Sequence, residues 1–496
     1  MEGIARRPAW PLVSLVLLLG GIVGVVIAYL VITGWWQIAA GLLLAVPALV
    51  VIHRYPFVSV VVWLMLTPLL LHTDTAAERY VYWAIHRGLP LLTLGLIVLS
   101  AALRIRPRSL PRLGLPEVAM AGYVMVSVVS ILLQNSQPQA TLYLFYDRIV
   151  VAMCLYLIIR LARPSDWEMN WLLMAAVLVV LSQAAVGVLS QFAPSLLPSE
   201  WMENAGERTV GTLINAAIYT IALMFGGLIL FHAGQQSDSA RRRQLFTICF
   251  LLTLYGTFIS FSRASWMGGL AVGAALALIY PRFMLKLAAV AVPIVVLGAG
   301  VLLAGQLEWA KERLTSSEAE NSALSRLPIM VGAYNMFQAR PLFGWGYGNF
   351  DRYDRAFYDR LLDMAHDNKD HASHNYFLSI LAEQGAVGLA LYMLPVFVWL
   401  ARSLRRYKAL PSRGLMSRKL LLMLWLVILF HIIVSNFINM IVVYGLGLWW
   451  IALGLIGLLV AEVEAAPAIA ANPAGGLGRD HSAHWGEGEG RGGVVR

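Results

Sequence analysis

Charge is scarce in this chain. Only 13% of its residues are charged and 59% are hydrophobic, whereas soluble domains carry about 25% charged residues. That shortage excludes an ordinary soluble enzyme and points to a membrane protein. Cysteine is nearly absent as well. The two that exist, Cys154 and Cys249, both lie inside apolar runs; without metal-ligand spacing or a disulfide framework they read as small buried hydrophobes. The signatures of soluble nucleotide and hydrolase chemistry are missing too: there is no P-loop, no G-x-S-x-G, no zinc-type His/Cys spacing and no dinucleotide fingerprint. No internal repeat is present, which counts against a transporter built from inverted repeats around broken helices.

Long apolar runs are what the chain has. A bilayer span needs about 20 such residues, and candidates fall near 10–32, 35–53, 55–72, 81–103, 115–134, 141–162, 170–192, 210–232, 244–262, 264–280, 283–304, 385–402, 418–437 and 441–461. That is about fourteen spans, or about twelve if short neighbours merge. The first run follows Arg6 and Arg7 like a signal peptide. It is too long, and no small-residue cleavage site closes it, so a spanning helix is expected.

The net charge of +10 reflects orientation. With the N-terminus cytoplasmic and sides alternating, the inner connections hold Arg6 and Arg7, Arg54, Arg104 to Arg112, Arg160 and Arg163, Arg241 to Arg243, and Arg282 with Lys286. The last of them, "RSLRRYKALPSRGLMSRK", is the most basic. Short cytoplasmic loops are enriched in Lys and Arg, so both termini are expected inside. Arg79, Arg87, Arg148, Arg208 and Arg263 are left on or near the outer face. Arg87 and Arg148 fall within apolar spans, where a central charge costs at least ~2.5 kcal/mol. Snorkelling, or pairing with Asp147, explains one such arginine. A group of them points to an anionic ligand, because guanidinium grips phosphate through two parallel hydrogen bonds.

Outside the spans, one outer insertion runs from Gln306 to Ser373. In its "NFDRYDRAFYDRLLDMAHD", Phe350, Tyr353, Phe357 and Leu361 recur at helical spacing, which predicts an amphipathic helix lying on the membrane or capping a cavity. Asp351, Asp354 and Asp359 have arginine neighbours and read as a solvated, salt-bridged face rather than metal ligands. A smaller outer loop, "APSLLPSEWMENAGERTVG", ends near Arg208. The tail after Glu464 is rich in Ala, Gly and Pro and reads as disordered, its His481 and His484 incidental. The expected division is 1–304 N-terminal transmembrane helices, 305–374 outer loop domain, 375–462 C-terminal transmembrane helices and 463–496 cytoplasmic tail.

Two stretches carry candidate chemistry. The glycines of "PLFGWGYGNF" (Gly344, Gly346, Gly348) superficially suggest a phosphate loop, but no βαβ unit surrounds them. A turn that permits close backbone approach is the better account. "HASHNYFLSILAEQGAVG" places His371, His374 and Asn375 where the insertion re-enters an apolar run. Histidine titrates near neutrality and can take a proton from a hydroxyl; the other reading is an interfacial histidine bonded to a headgroup. Asn375 would hold a ring or a sugar hydroxyl. Glu383, at the start of the apolar run, would pair with an outer arginine or serve in catalysis.

"RPLFGWGYGNF" followed by "HNYFLSILAEQGAVGL" resembles the signature of the O-antigen ligase and polymerase superfamily of polytopic membrane glycosyltransferases. "GERTVGTLINAA" and "SFSRASW" are similar to that family's arginine-bearing stretches, in the same order. The resemblance covers Arg208 to Gly388 by motif and the remainder by helix pattern. It implies an all-α polytopic fold, GT-C-like, with one large periplasmic helical insertion, and transfer of glycan from undecaprenyl pyrophosphate at the periplasmic face. His374 matches the family's essential histidine, being the one followed by Asn; Arg208 and Arg263 match its pyrophosphate-binding arginines. Arg148 and Arg87 are added from topology.

The expected activity is that of an O-antigen ligase of the bacterial inner membrane, joining O-polysaccharide to lipid A–core oligosaccharide. Pyrophosphate is a good leaving group, so no cofactor and no metal are expected, and a single displacement implies inversion. The expected partners are the lipid-linked donor, the lipid A–core acceptor and membrane lipids, with no nucleic acid. An O-antigen polymerase and a protein O-oligosaccharyltransferase of the same superfamily stay open beside it, and from another class a transporter.

Overall fold

The computed structural model describes residues 47–298 and 326–471, apart from gaps at 73–74, 104–109, 112, 204–207, 358–372 and 441, with a few residues before 47 and between 299 and 325. Most of the predicted 10–32 span lies outside them. Helix α1 (Pro47–Arg54) meets α2 (Val58–Leu66, continued by a 3-10 turn Thr67–Leu70) at 117°. Pro56, which lacks an N–H to donate, stands at the break. The runs expected near 35–53 and 55–72 therefore form a bent pair rather than two straight spans.

The chain continues through α3 (Ala76–Ala102), α4 (Leu115–Gln134), α5 (Pro138–Ala162) and α6 (Asp166–Phe192). Sequence sets the starts: Thr75 with Glu78, and Ser165 with Glu168, form capping boxes at α3 and α6. A two-stranded ribbon, β1 (Met202–Glu203) with β2 (Arg208–Thr209), interrupts the helices. Then follow α7 (Ala216–Gln235), α8 (Ala240–Ile259), α9 (Arg263–Ile279), α10 (Pro281–Gly298), α11 (Arg326–Ala339), α12 (Phe350–Tyr353), α13 (Tyr376–Arg406), α14 (Arg418–Ser435) and α15 (Val443–Ala471). Among the described residues, eight helices are long and apolar enough to cross a membrane, or nine if α1 and α2 make one span. The architecture is all-α and polytopic, as the sequence implies.

Burial sorts the helices. The apolar windows of α7 and α15 are 100% buried, against 17% for α3, so α7 and α15 form the centre and α3 the periphery. Small residues let the central helices approach closely, as where Gly227 of α7 faces Thr253 of α8. The basic connections gather at one end. Gly414 donates to Gln236 (3.0 Å), Arg402 and Arg406 lie 3.9 and 3.7 Å from Glu464, and Arg160 donates to the Gly457 carbonyl (2.8 Å). The ends of α4, α6 and α14 and the starts of α9 and α13 lie opposite.

Three boundaries differ from the sequence reading. Helix α13 begins at Tyr376, ahead of the run expected from 385, because the insertion shelters its first turns. Helix α15 continues to Ala471, past the boundary expected at 462, through alanine-rich sequence with high helix propensity. The amphipathic stretch is one α-turn, α12, followed by a 3-10 turn Asp354–Phe357; Leu361 lies outside the described residues. Phe350, Tyr353 and Phe357 do share a face, which packs with Ile329, Ala333, Met336 and Ala382 rather than on lipid. Buried Asp354 accepts the backbone N–H of Arg355 (2.7 Å); Asp359 is outside the described residues.

Candidate active site

The turn bearing His374 is built from its neighbours. Asn375 caps α13, its Oδ1 accepting from the Leu378 N–H (3.0 Å), while its Nδ2 donates to Oδ1 of Asn436 at the end of α14 (3.3 Å). Buried Ser373 donates to the Asn375 carbonyl (2.8 Å), accepts the Asn375 N–H (3.2 Å) and hydrogen-bonds the hydroxyl of Ser379. With Ser373 and Tyr376 both buried, the chain between them bulges outward and His374 takes a left-handed φ of 50°. Asn375 is thus committed to the cap and to α14, which fixes the turn. His371 lies outside the described residues.

The same turn is made twice more at this end. Ile214 (φ 67°) precedes Asn215, the cap of α7, and Phe261 (φ 48°) precedes Ser262, the cap of α9. Each lies close in sequence to a candidate arginine, Arg208 and Arg263 respectively. Arg208 on β2 is held through Thr209, whose hydroxyl meets those of Ser190 (3.1 Å) and the amide of Gln191 (3.0 Å). Further along, Gln183 clamps Thr212 by two hydrogen bonds (2.8 and 3.1 Å). Arg263 opens α9, which the Ser265 and Thr220 hydroxyls (2.7 Å) tie to α7.

Helices α9 and α14 run antiparallel. Lys419 lies over Tyr280 just past the end of α9, and a Cβ on Gly268 would meet the Phe430 ring at 2.8 Å. Extending that register brings Arg263 level with Ser435 and Asn436, the residue Asn375 bonds. A third guanidinium joins from the insertion: Arg326, which opens α11, lies in the fields of both Arg208 and Arg263. Burial and these two like charges hold it below the ordinary arginine value. Arg208 and Arg263 thus both lie within electrostatic reach of Arg326, toward the end of the bundle where His374 sits. Sequence reading did not single out Arg326, because within the insertion it weighed only the arginines beside Asp351, Asp354 and Asp359. The signal was there, in an arginine just ahead of the apolar stripe Ile329, Ala333, Met336.

Beside this site, α13 is broken. Gly385 is non-helical (φ 66°, ψ −168°), and the break frees four backbone groups that must be paired elsewhere. The glycine loop takes them. Trp345 and Gly346 donate to the carbonyls of Ala382 (3.1 Å) and Glu383 (2.7 Å), and Ala386 and Val387 donate to those of Pro341 (2.8 Å) and Leu342 (3.1 Å). Gly344, Gly346 and Gly348 all have positive φ (63°, 92°, 75°), so the turn with close backbone approach is what forms. The Glu383 carboxylate accepts the Phe350 N–H (3.1 Å), and Arg148 lies in its electrostatic reach, as it does for Tyr347 and Tyr376.

Arg87 does not join the others. Its Nε donates to Asp147 Oδ1 (2.5 Å), it hydrogen-bonds the Tyr143 hydroxyl, and its guanidinium lies over the rings of Tyr82 and Tyr143. His86 completes the arrangement: Trp63 donates to its Nδ1 (3.0 Å), leaving Nε2–H for Asp147 (3.1 Å). The charge of Arg87 is neutralised between two π-helical turns, Trp83–Gly88 and Tyr146–Val150. Of the two readings of an intramembrane arginine, the ion pair holds for this one.

Residues 248–393 match the family model described as O-antigen ligase. The matched segment holds Arg263, Arg326, the glycine loop, His374, Asn375 and Glu383, while Arg208, Arg148 and Arg87 precede it. A search of curated proteins finds no match to the chain. The all-helical membrane architecture agrees with the family match, and the match over residues 248–393 supports the O-antigen ligase and polymerase superfamily.

Proposed function

We propose that the protein is an O-antigen ligase of the bacterial inner membrane, with both termini cytoplasmic and its active site at the periplasmic face. It transfers O-polysaccharide from undecaprenyl pyrophosphate to lipid A–core oligosaccharide. One observation supports this above all: the His374 turn and the arginine cluster share the end of the bundle opposite the basic connections. Substrates with lipid tails and polar heads meet at such an end.

In the proposed reaction His374 takes the proton of the acceptor hydroxyl as that oxygen bonds to the donor's anomeric carbon. The bond from that carbon to the pyrophosphate oxygen breaks, and its electron pair leaves on the pyrophosphate. Arg208 and Arg263 stabilise the charge that develops there, the work a metal ion does in other phosphate-leaving reactions. A single displacement inverts the anomeric centre. Asn375 and Glu383 support the site by fixing the turn and the loop, and Arg148 offsets the charge of Glu383 from below the site. Arg87, neutralised by Asp147, is left to structure.

Cells lacking the protein are expected to lose every O-chain from their lipopolysaccharide and to accumulate the lipid-linked polymer. Core bearing one repeat would assign the chain to the polymerases instead, and unchanged banding would remove the reading. At the level of residues, Arg208→Lys and Arg263→Lys are each expected to slow transfer by roughly tenfold to a hundredfold, because lysine keeps the charge and loses the planar fork. Exposed Arg405, on the basic connection, supplies the control: Arg405→Lys should leave the rate unchanged. Wild-type rates in both lysine variants at saturating acceptor would take the two arginines out of the donor site.

A further inference from the structure

At the end that carries the basic connections, the elbow between α1 and α2 leaves a cleft. Its walls are the last turns of α1, α3 and α5: Ile52 and His53, then Ile97 and Ser100, then Leu161 and Ala162. It encloses about 440 Å³, counting the part open to its surroundings. The elbow is held in shape from α6. One carboxylate oxygen of Glu168 accepts the Phe57 N–H (3.2 Å), and the other accepts the N–H and the hydroxyl of Ser165 (both 2.9 Å). The lining is apolar apart from His53 and Ser100. The Ser100 hydroxyl donates to the Leu96 carbonyl (2.6 Å), so it accepts from Nδ1–H of His53 (3.2 Å). That leaves Nε2 of His53 with no partner among the described residues.

An apolar space between helix ends forfeits dispersion contacts if it stays empty and offers water too few polar partners. In a bilayer, hydrocarbon fills it. The surroundings specify which lipid supplies that hydrocarbon, because every wall runs into arginine. Arg54 follows His53, and Arg163 follows Ala162. The connection from Ala101 to Leu110, both of which line the cleft, carries Arg104, Arg106 and Arg108 in its sequence. Arg54 is exposed, with its guanidinium 5.5 Å over the Tyr55 ring. Arg163 is exposed too, turned out of α5 by a left-handed φ of 49°, with Glu462 in its field. A ladder of rings, Tyr55 to Trp167 (4.9 Å) to Trp171 (5.8 Å), marks the level in the membrane. Both tryptophans are exposed, as aromatic side chains at the headgroup boundary are. We propose that the cleft binds an anionic phospholipid of the cytoplasmic leaflet, with one acyl chain between α1, α3 and α5 and its phosphate beside Arg54 and His53. Basic pockets between spanning helices on that side take such headgroups. Nε2 of His53 can accept from a headgroup hydroxyl or, when protonated, donate to the phosphate. The proposal takes its leaflet from the orientation proposed above; it does not rest on the ligase reading, and the binding test depends on neither.

The test uses the purified full-length protein, delipidated in detergent. Native mass spectrometry gives its affinity for phosphatidylglycerol and for phosphatidylcholine with the same acyl chains. Phosphatidylglycerol with a photoreactive acyl chain maps the site by cross-linking. The wild type is expected to prefer phosphatidylglycerol by about tenfold or more and to cross-link at Leu96, Ile97 and Leu161, which line the cleft. His53→Leu with Arg54→Gln should weaken phosphatidylglycerol by about tenfold and leave phosphatidylcholine unchanged; a merely structural role would weaken both alike. Ala101→Trp fills the cleft from a partly exposed position near the end of α3 and should abolish the cross-links while keeping every charge. Val98→Trp, on the exposed side of the same helix, is the control and should bind as the wild type does. Equal affinity for the two lipids, or cross-links confined to other surfaces, would overturn the site. So would an unchanged preference in the double variant or wild-type cross-linking in a folded Ala101→Trp. If Ala101→Trp does not fold, the double variant decides alone.

Discussion

Alanine in place of His374 is expected to abolish glycan transfer while the protein still folds and inserts. A positioned general base contributes typically ~10²–10⁴ in rate, and among the described residues of this turn nothing else supplies one: Ser373 and Asn375 are both committed to holding its shape. The backbone adds a complication that a second variant resolves. His374 has a φ of 50°, a conformation that costs most L-residues about 1–2 kcal/mol and that asparagine tolerates better. His374→Asn should therefore keep the turn and still lose the base. Transfer from purified donor to purified acceptor gives the rate, and size-exclusion elution with thermal unfolding gives integrity. Near wild-type transfer by either variant would remove the base assignment. A dead but unfolded alanine variant beside a folded, active asparagine variant would make the residue structural.

The other large effect is expected at the seam between the glycine loop and α13. A Cβ on Gly344 would stand 2.4 Å from the carbonyl carbon of Glu383 and 2.5 Å from the Gln384 nitrogen; one on Gly385 would stand 2.3 Å from the carbonyl of Leu342. These are backbone atoms, so no side-chain rotation relieves the clash, and both glycines have positive φ (63° and 66°). Overpacking costs about 1–3 kcal/mol and the left-handed backbone about 1–2 more. Gly344→Ala and Gly385→Ala are thus each expected to lower the melting temperature clearly and to make the insertion more sensitive to protease. Gly273→Ala, with open space around it and helical backbone, should be neutral or slightly stabilising. Wild-type melting for both seam variants would show that the loop does not seat against the break.

How far sequence carried is clearest residue by residue. The spans were legible because a bilayer forces long apolar runs, and the glycine turn because three alternate glycines need a reason. His374 was legible as a titratable group at an edge that otherwise avoids charge. The partner of Asp147 was not. Adjacency favours Arg148, yet neighbours along a helix point about 100° apart, and the aspartate pairs across to Arg87 and His86. Nor was the break in α13, since the apolar run reads as starting at 385 and nothing in it shows helix on both sides of Gly385, and the carbonyls that complete the break belong to Pro341 and Leu342. Arg326 stayed hidden for the same reason. Its neighbours, Arg208 and Arg263, come from distant parts of the chain, and no periodicity reports on them.

Ile214, Phe261 and His374 each hold a left-handed backbone immediately before the cap of a helix. Glycine adopts that shape without penalty, and a β-branched residue such as isoleucine is among the worst suited to it. A chain optimised only for endurance would carry glycine or asparagine at 214 and 261. Strain of this kind persists only where the surrounding structure over-determines it, as the hydroxyl and amide contacts of Ser373, Thr209 and Ser265 do here. In engineering terms, the reserve of easy thermostability in this protein sits at the end proposed to do chemistry, where relaxing the backbone trades activity for a higher melting temperature.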